Sequence, residues 1–265
     1  MGQVAGKIAL VTGGGEGIGK ASALTLAREG AKVAVTDINE DTAAKTAAEI
    51  VAAGGEAMAM QHDVTDERRW QDVVAALEEK WGGLQILLNN AGIAIVADTV
   101  TMSLEDWRRQ TAVNIDGVFL GVKYTVPAMR RAGKGGSIIN LSSVAGLRGA
   151  PGLSGYAATK GAVKLFTKSV ALECARNGDN IRVNSVHPGI IETNIWPRMT
   201  GGSNEMNPVE IGERAVPLGA SASPQVIADG VLFLASDNSA YMTGSELVID
   251  GGLTAGTMNS RPAAS

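Results

Sequence analysis

The chain has one cysteine, two histidines, no block of basic residues and no long apolar run in its 265 residues. The lone thiol, Cys174, cannot close an internal disulfide and suits a reducing cytosol. His62 and His187 each stand near the end of a short apolar run, no cluster has metal-ligand spacing, and no metal is expected. With 23 Lys and Arg against 27 Asp and Glu, a formal charge of −4, nothing here attracts nucleic acid or an anionic membrane surface. No segment reaches the roughly 18 uninterrupted apolar residues of a membrane span. The start of the chain lacks a signal-peptide core, and Gly6 stands where a myristoylation signal needs Ser or Thr. A cytoplasmic protein that handles a small molecule is therefore expected. Hydrophobic residues, 45% of the total, suffice for a full core, and the length fits one α/β domain over 1–265 with no repeat or linker.

Residues 140–160 gather a hydroxyl, a phenol and an ammonium. Tyr156 and Lys160 are four apart in a run (Ala157, Ala158, Ala162, Val163, Leu165, Phe166) that reads as helix, so both project from one face. A free phenol titrates near 10 and needs a nearby positive charge to work as an acid-base group at neutral pH. Lowering it by about 2 to 3 units takes about 3 to 4 kcal/mol, which an ammonium held in a cleft could supply. Ser143 stands thirteen residues before Tyr156, where the apolar run of Ile138, Ile139 and Leu141 opens into a loop, and its hydroxyl could hold a substrate oxygen. Taken singly, these features read more simply as a Ser-Ser turn and a packed Tyr.

Support comes from the other end of the chain. The strand-length run 7–12 leads into Gly13-Gly14-Gly15-Glu16-Gly17-Ile18-Gly19 and then a helical pattern through Arg28. Strand, glycine turn and helix form a dinucleotide cradle: glycine permits the tight turn and the close approach, and the helix start offers free N–H groups to a pyrophosphate. A second strand, 32–37, ends in Asp37, twenty residues beyond Gly17, where a carboxylate would accept hydrogen bonds from ribose hydroxyls and repel a 2′-phosphate. Glu16 adds a second negative charge, so NAD is expected over NADP. The alternative for Asp37 is a cap on the helix over 39–53.

The rest of the pattern alternates strands and helices. A weaker strand over 56–61 closes at His62-Asp63-Val64, near where an adenine could lie, and an amphipathic helix covers 66–81. A strand over 85–88 ends in Asn89-Asn90-Ala91-Gly92, a turn that could brace strand ends and let a cofactor approach at Gly92. One long helix is expected over 103–131, with Asn114 among apolar neighbours, either a satisfied core amide or the holder of a water. The strand ending at Ser142, the helix through Arg176 and a strand over 180–186 follow, and His187-Pro188-Gly189 ends that strand sharply. Residues 190–218 are irregular and carry apolar side chains including Ile191, Ile195, Trp196 and Met199, as a substrate loop would. A helix over 224–235 and a strand over 245–249 complete the pattern, with 256–265 read as a frayed end.

Thr12-Gly13-x-x-x-Gly17-Ile18-Gly19, Asn89-Asn90-Ala91-Gly92, Asn114, Ser143, Tyr156-x-x-x-Lys160 and Pro188-Gly189 occur in the order and spacing of the short-chain dehydrogenases/reductases. The resemblance covers about 5–255 and is nearest to bacterial secondary-alcohol and hydroxysteroid dehydrogenases. It implies a single Rossmann-type domain with a doubly wound parallel sheet, usually a homotetramer. Tyr156 would be the acid-base, Lys160 would bind the nicotinamide ribose, Ser143 would orient the substrate oxygen and Asn114 would position a relay water. The cofactor would touch Gly13, Gly17, Ile18, Gly19, Asp37, Asp63, Val64, Asn90, Ala91, Gly92, Pro188, Gly189 and Thr193. The expected reaction is NAD-dependent interconversion of an apolar or alicyclic secondary alcohol and its ketone. Reduction of a 3-oxoacyl thioester on a carrier protein, or a non-catalytic NAD(H) sensor, are the alternatives.

Overall fold

Side chains along β1 (Ile8–Thr12) alternate between two apolar cores: Ala9 and Val11 join one, Ile8 and Leu10 the other. That is the period-2 geometry of a strand covered on both faces. The computed structural model describes residues 2–201 and 206–256. The further strands are β2 (Lys32–Asp37), β3 (Glu56–Gln61), β4 (Ile86–Asn89), β5 (Gly136–Leu141), β6 (Ile181–Pro188) and β7 (Glu246–Ile249). All are parallel, in the order β3-β2-β1-β4-β5-β6-β7.

On one face, α1 (Gly17–Arg28), α2 (Glu40–Ala52) and α9 (Pro224–Ala235) bury Leu26, Ile50 and Val231. On the other, α3 (Glu67–Trp81), α5 (Gly117–Ala132) and α6 (Ser154–Asn177) bury Trp70, Met129 and Cys174. Burial pushes the Cys174 thiol up to about 11, which leaves it a packing residue. The shorter α4 (Leu104–Thr111), α7 (Ile195–Met199) and α8 (Pro208–Ala215) complete the described α-helices, none of which is long and apolar enough to cross a membrane. This is the expected doubly wound sheet. Strand order reverses between β1 and β4, whose carboxyl ends open the crevice where such folds take ligands.

Several expected boundaries move. The long helix is interrupted: residues Ala112–Asp116 form a π-helical turn between α4 and α5, a local widening with a cause described below. β4 starts at Ile86, one residue later, and Gln85 before it accepts the Ile8 N–H with its side chain (3.0 Å). β6 continues through His187 and Pro188, since both pair with β7 and the ladder needs no donor from Pro188 there. The segment 190–218 is less irregular than its composition suggests, holding α7 and α8; Asn207 caps α8 at the Val209 N–H (3.0 Å), with Pro208 in its first turn. Of the end read as frayed, 256–265, all but Gly256 lies outside the described residues.

Candidate active site

The end of β5 and the start of α6 form one wall of a cleft of about 910 Å³. Ser142 Oγ donates to the Lys160 carbonyl (2.8 Å), and Lys160 Nζ donates to the Leu141 carbonyl (2.8 Å), so strand end and helix are stitched in both directions. A side chain at Gly146 would lie 2.7 Å from the Lys160 carbonyl, so glycine is what lets the loop lie on the helix. Ser143 Oγ accepts the Ala145 N–H (3.1 Å), and its carbonyl faces His187 Nδ1 (3.2 Å), whose other nitrogen meets Ser185 Oγ (2.9 Å). His187 thus holds the serine's backbone from β6, a contact across two strands that no local pattern announces.

Ser143, Tyr156 and Lys160 line this one cleft. Their ionisation differs from the sequence expectation. Burial pushes the Tyr156 phenol up to about 12, opposed only by its hydrogen bond with Ser143. The ammonium does not lower it. Lys160, only 4% exposed, is itself pushed down to about 8 by burial. Its Nζ is turned to the Leu141 carbonyl, 5.6 Å from the phenol ring centroid. Two buried groups each disfavour their charged form. As the protein stands, the phenol is a proton donor.

Gly13, Glu16, Gly17, Ile18, Asp37, Asn90, Gly92, Pro188, Gly189 and Thr193 line the same cleft. Gly13 has φ +60°, and a Cβ there would lie 2.9 Å from Asn90 Nδ2. Asn90 Nδ2 donates to the carbonyls of Thr12 (2.9 Å) and Gly13 (3.0 Å), while Thr12 Oγ1 accepts the N–H groups of Asn90 (3.0 Å) and Ala91 (3.1 Å). The Asn-Asn-Ala-Gly turn therefore braces the glycine turn, as one of its sequence readings had it. Asn39, not Asp37, caps α2. The Asp37 carboxylate accepts the N–H of Gly15 (3.0 Å) and of Asn39 (3.0 Å), which orients it along the glycine loop.

Five residues named from the sequence do not line the cleft: Gly19, Asp63, Val64, Ala91 and Asn114. Gly19 packs under the loop, where a Cβ would collide with the Gly13 carbonyl. Val64 is in the core and gives its carbonyl to Trp70 Nε1 (2.9 Å), while Asp63 accepts from Thr65 (2.9 and 2.8 Å). Asn114 is fully buried in the π-helical turn. Its Oδ1 accepts the Ile93 N–H (2.9 Å), and its Nδ2 donates to the Ile93 carbonyl (2.8 Å) and Thr159 Oγ1 (3.0 Å). It pins the segment after Gly92 to α6, the structural side of the alternative left open by the sequence.

Across the cleft, Glu16 is not a free charge. Its Oε2 accepts from Arg198 Nη2 (2.8 Å) and Asn194 Nδ2 (3.0 Å), tying the glycine loop to α7. The far end of α7 is tied by the Val96 N–H to the Met199 carbonyl (3.1 Å). Thr193 packs against Gly17, where a Cβ would come within 3.3 Å of its methyl. Arg109 and Arg148 also line the cleft.

A parallel sheet with a glycine cradle at its switch point, and a hydroxyl, phenol and ammonium on one wall of the cleft beside it, defines a nucleotide-dependent oxidoreductase architecture. The family profile described as Enoyl-(Acyl carrier protein) reductase matches residues 13–254. Cyclopentanol dehydrogenase of Comamonas sp. is 43% identical over 96% of this chain and 100% of its own length. An NADP-dependent (R)-specific alcohol dehydrogenase of Lentilactobacillus kefiri is 41% identical over 94% of this chain and 97% of its own. The crystal structure of a short-chain type dehydrogenase/reductase from Mycobacterium marinum superposes with a TM-score of 0.88 at 37% identity, covering 95% of this chain and 97% of that one. The chain belongs to the short-chain dehydrogenase/reductase family.

Proposed function

We propose that the protein interconverts a secondary alcohol and its ketone with NAD. The observation that carries this is the convergence of Ser143, Tyr156 and Lys160 on one wall of a cleft that also reaches the glycine loop and Asp37. The cleft suits a dinucleotide: Gly13 and Gly17 leave room where a side chain would intrude, and the first turn of α1 carries no acid to repel a pyrophosphate. Gly13, Gly17, Ile18, Asn90, Gly92, Pro188, Gly189 and Thr193 would hold it, with Asp37 at the adenosine ribose. Gly19 and Ala91 would shape that surface from beneath, and Asp63 and Val64 would support the adenine edge. When bound, the nicotinamide supplies the hydride chemistry, taking hydride from the carbinol carbon or returning it to the carbonyl carbon.

Tyr156 moves the proton. Its phenol, held protonated by burial, donates to the carbonyl oxygen during reduction; as phenolate it removes the hydroxyl proton during oxidation. Ser143 holds the same oxygen as its charge develops. Lys160, protonated below about 8, supplies positive charge to the cleft and binds ribose hydroxyls. Asn114 keeps α6 in register with the segment after Gly92. The substrate loop is 190–218, whose Ile191, Ile195, Trp196 and Met199 give the cleft an apolar wall suited to an alicyclic body. Cyclopentanol, in the name of one relative, is of that kind.

The NAD preference rests on Asp37, because Glu16 is neutralised by Arg198. One relative named above is NADP-dependent, so the preference is tested directly: kcat/KM for NAD and NADP with cyclic, linear and steroidal secondary alcohols, alongside Asp37→Ser. NAD should be favoured by at least about tenfold, one pKa-unit equivalent of free energy, and Asp37→Ser should narrow that ratio. Equal use of both cofactors by the unaltered protein would refute the preference. A homotetramer in the cytosol completes the reading, supported by exposed apolar side chains along α5 and α6 (Phe119, Leu165, Leu172). Light scattering that gave a monomer would contradict it.

A further inference from the structure

Charge is unevenly placed around the cleft. Its two carboxylates, Glu16 and Asp37, both stand with the glycine loop, and Glu16 is taken by Arg198. Elsewhere among the described lining residues there is no Asp or Glu, yet Arg109 and Arg148 are both present. Neither guanidinium makes a hydrogen bond or ion pair with a described residue. Arg109, on α4, adjoins Gln110, whose Oε1 accepts the Ile95 N–H (3.1 Å). Arg148 lies in the loop that is tied to the same segment through the Ala97 N–H and the Gly152 carbonyl (2.9 Å). Two arginine-bearing segments are thus stitched to one stretch of the cleft wall, and the apolar side chains Ile95 and Leu153 belong to that stretch.

We infer that Arg109 and Arg148 receive an anionic group of the substrate. The preferred substrate is then a secondary alcohol or ketone whose apolar body carries a carboxylate away from the reacting carbon. This rests on the alcohol–ketone reading of the same site. Arginine suits the role: its planar fork matches a carboxylate with two parallel N–H···O bonds. The rim position, exposed to water, predicts strong attenuation by salt.

The test compares cyclohexanol with 3-hydroxycyclohexanecarboxylate for the unaltered protein, Arg109→Gln, Arg148→Gln and the double variant. Calorimetry of cyclohexanecarboxylate binding runs alongside. The carboxylated alcohol should have a kcat/KM about tenfold or more above the neutral one. That ratio should fall by about tenfold in each single variant and with rising sodium chloride, and carboxylate binding should weaken in step. An equal ratio in the unaltered protein and the variants would overturn the inference. So would a preference for a 3-oxoacyl coenzyme A thioester over both alcohols, since the anion would then be a carrier phosphate. If neither alcohol reacts, the alcohol reading itself fails, and the calorimetry still decides: carboxylate binding lost in the arginine variants supports their role, and binding unchanged in them overturns it.

Discussion

Ser142, Asn114 and Lys160 commit their polar groups to buried or half-buried backbone within the wall of α6, whereas α7, across the cleft, is held to the glycine loop by Glu16, Arg198 and Asn194 at the surface. The two sides therefore differ in how much a broken contact costs. A buried donor or acceptor left without a partner loses its full solvation, about 1–3 kcal/mol, while an exposed ion pair is worth about 0–1 kcal/mol and weakens with salt. Chemistry needs fixed geometry and sits on the first side. Substrate entry needs a contact that can open, and the second side supplies one.

The largest effect should come from a buried group at the end of β3. His62 is held at about 4 by burial, with Thr36 Oγ1 on its Nδ1 (3.1 Å) and no partner for its Nε2 among the described residues. Because its folded value is depressed, the stability it contributes is full above 6.5 and lost as pH falls through 4, about 3 kcal/mol in all. Urea unfolding at pH 7 and pH 4 should show that loss, and His62→Asn should flatten it. Asn114→Ala comes next. It strands both backbone groups of Ile93, and the unfolding free energy should drop by about 2 kcal/mol. A drop as small as that of a surface substitution would break the distinction between the two sides.

Glu16→Gln tests the exposed side. Stability should change by less than about 1 kcal/mol, while cofactor release, followed by stopped-flow fluorescence, should quicken about two- to fivefold as α7 is untied, an effect matched in the unaltered protein by high salt. An unchanged release rate would leave the Glu16–Arg198 contact without consequence for the cleft.

Much of this arrangement was legible because it depends on local pattern. Alternating apolar strands and helices read directly, and Tyr156 and Lys160 share a helical face by spacing alone. Helix positions read through their apolar spacing, but the cap of α2 did not: it is Asn39, not the Asp37 that the sequence offered. What did not read depends on tertiary partners. The π-helical turn exists because Asn114 must meet the backbone of Ile93, twenty-one residues away. His187 looks like a strand end until Ser143 lies beside it. Glu16 read as a free charge because Arg198 is 182 residues further on. The ionisation of Tyr156 and Lys160 went the other way from expectation because spacing reports proximity and not burial.

The measurement that reaches the centre of the site is the pH dependence of NAD-driven alcohol oxidation by the unaltered protein and by Tyr156→Phe, with NAD binding measured separately. If Tyr156 takes the hydroxyl proton, kcat rises with pH through one ionisation in the unaltered protein. Tyr156→Phe then binds NAD as before, loses about 10³-fold in kcat and loses that ionisation. A Tyr156→Phe protein that kept its turnover and the same pH profile would contradict the assignment of the phenol as acid and base.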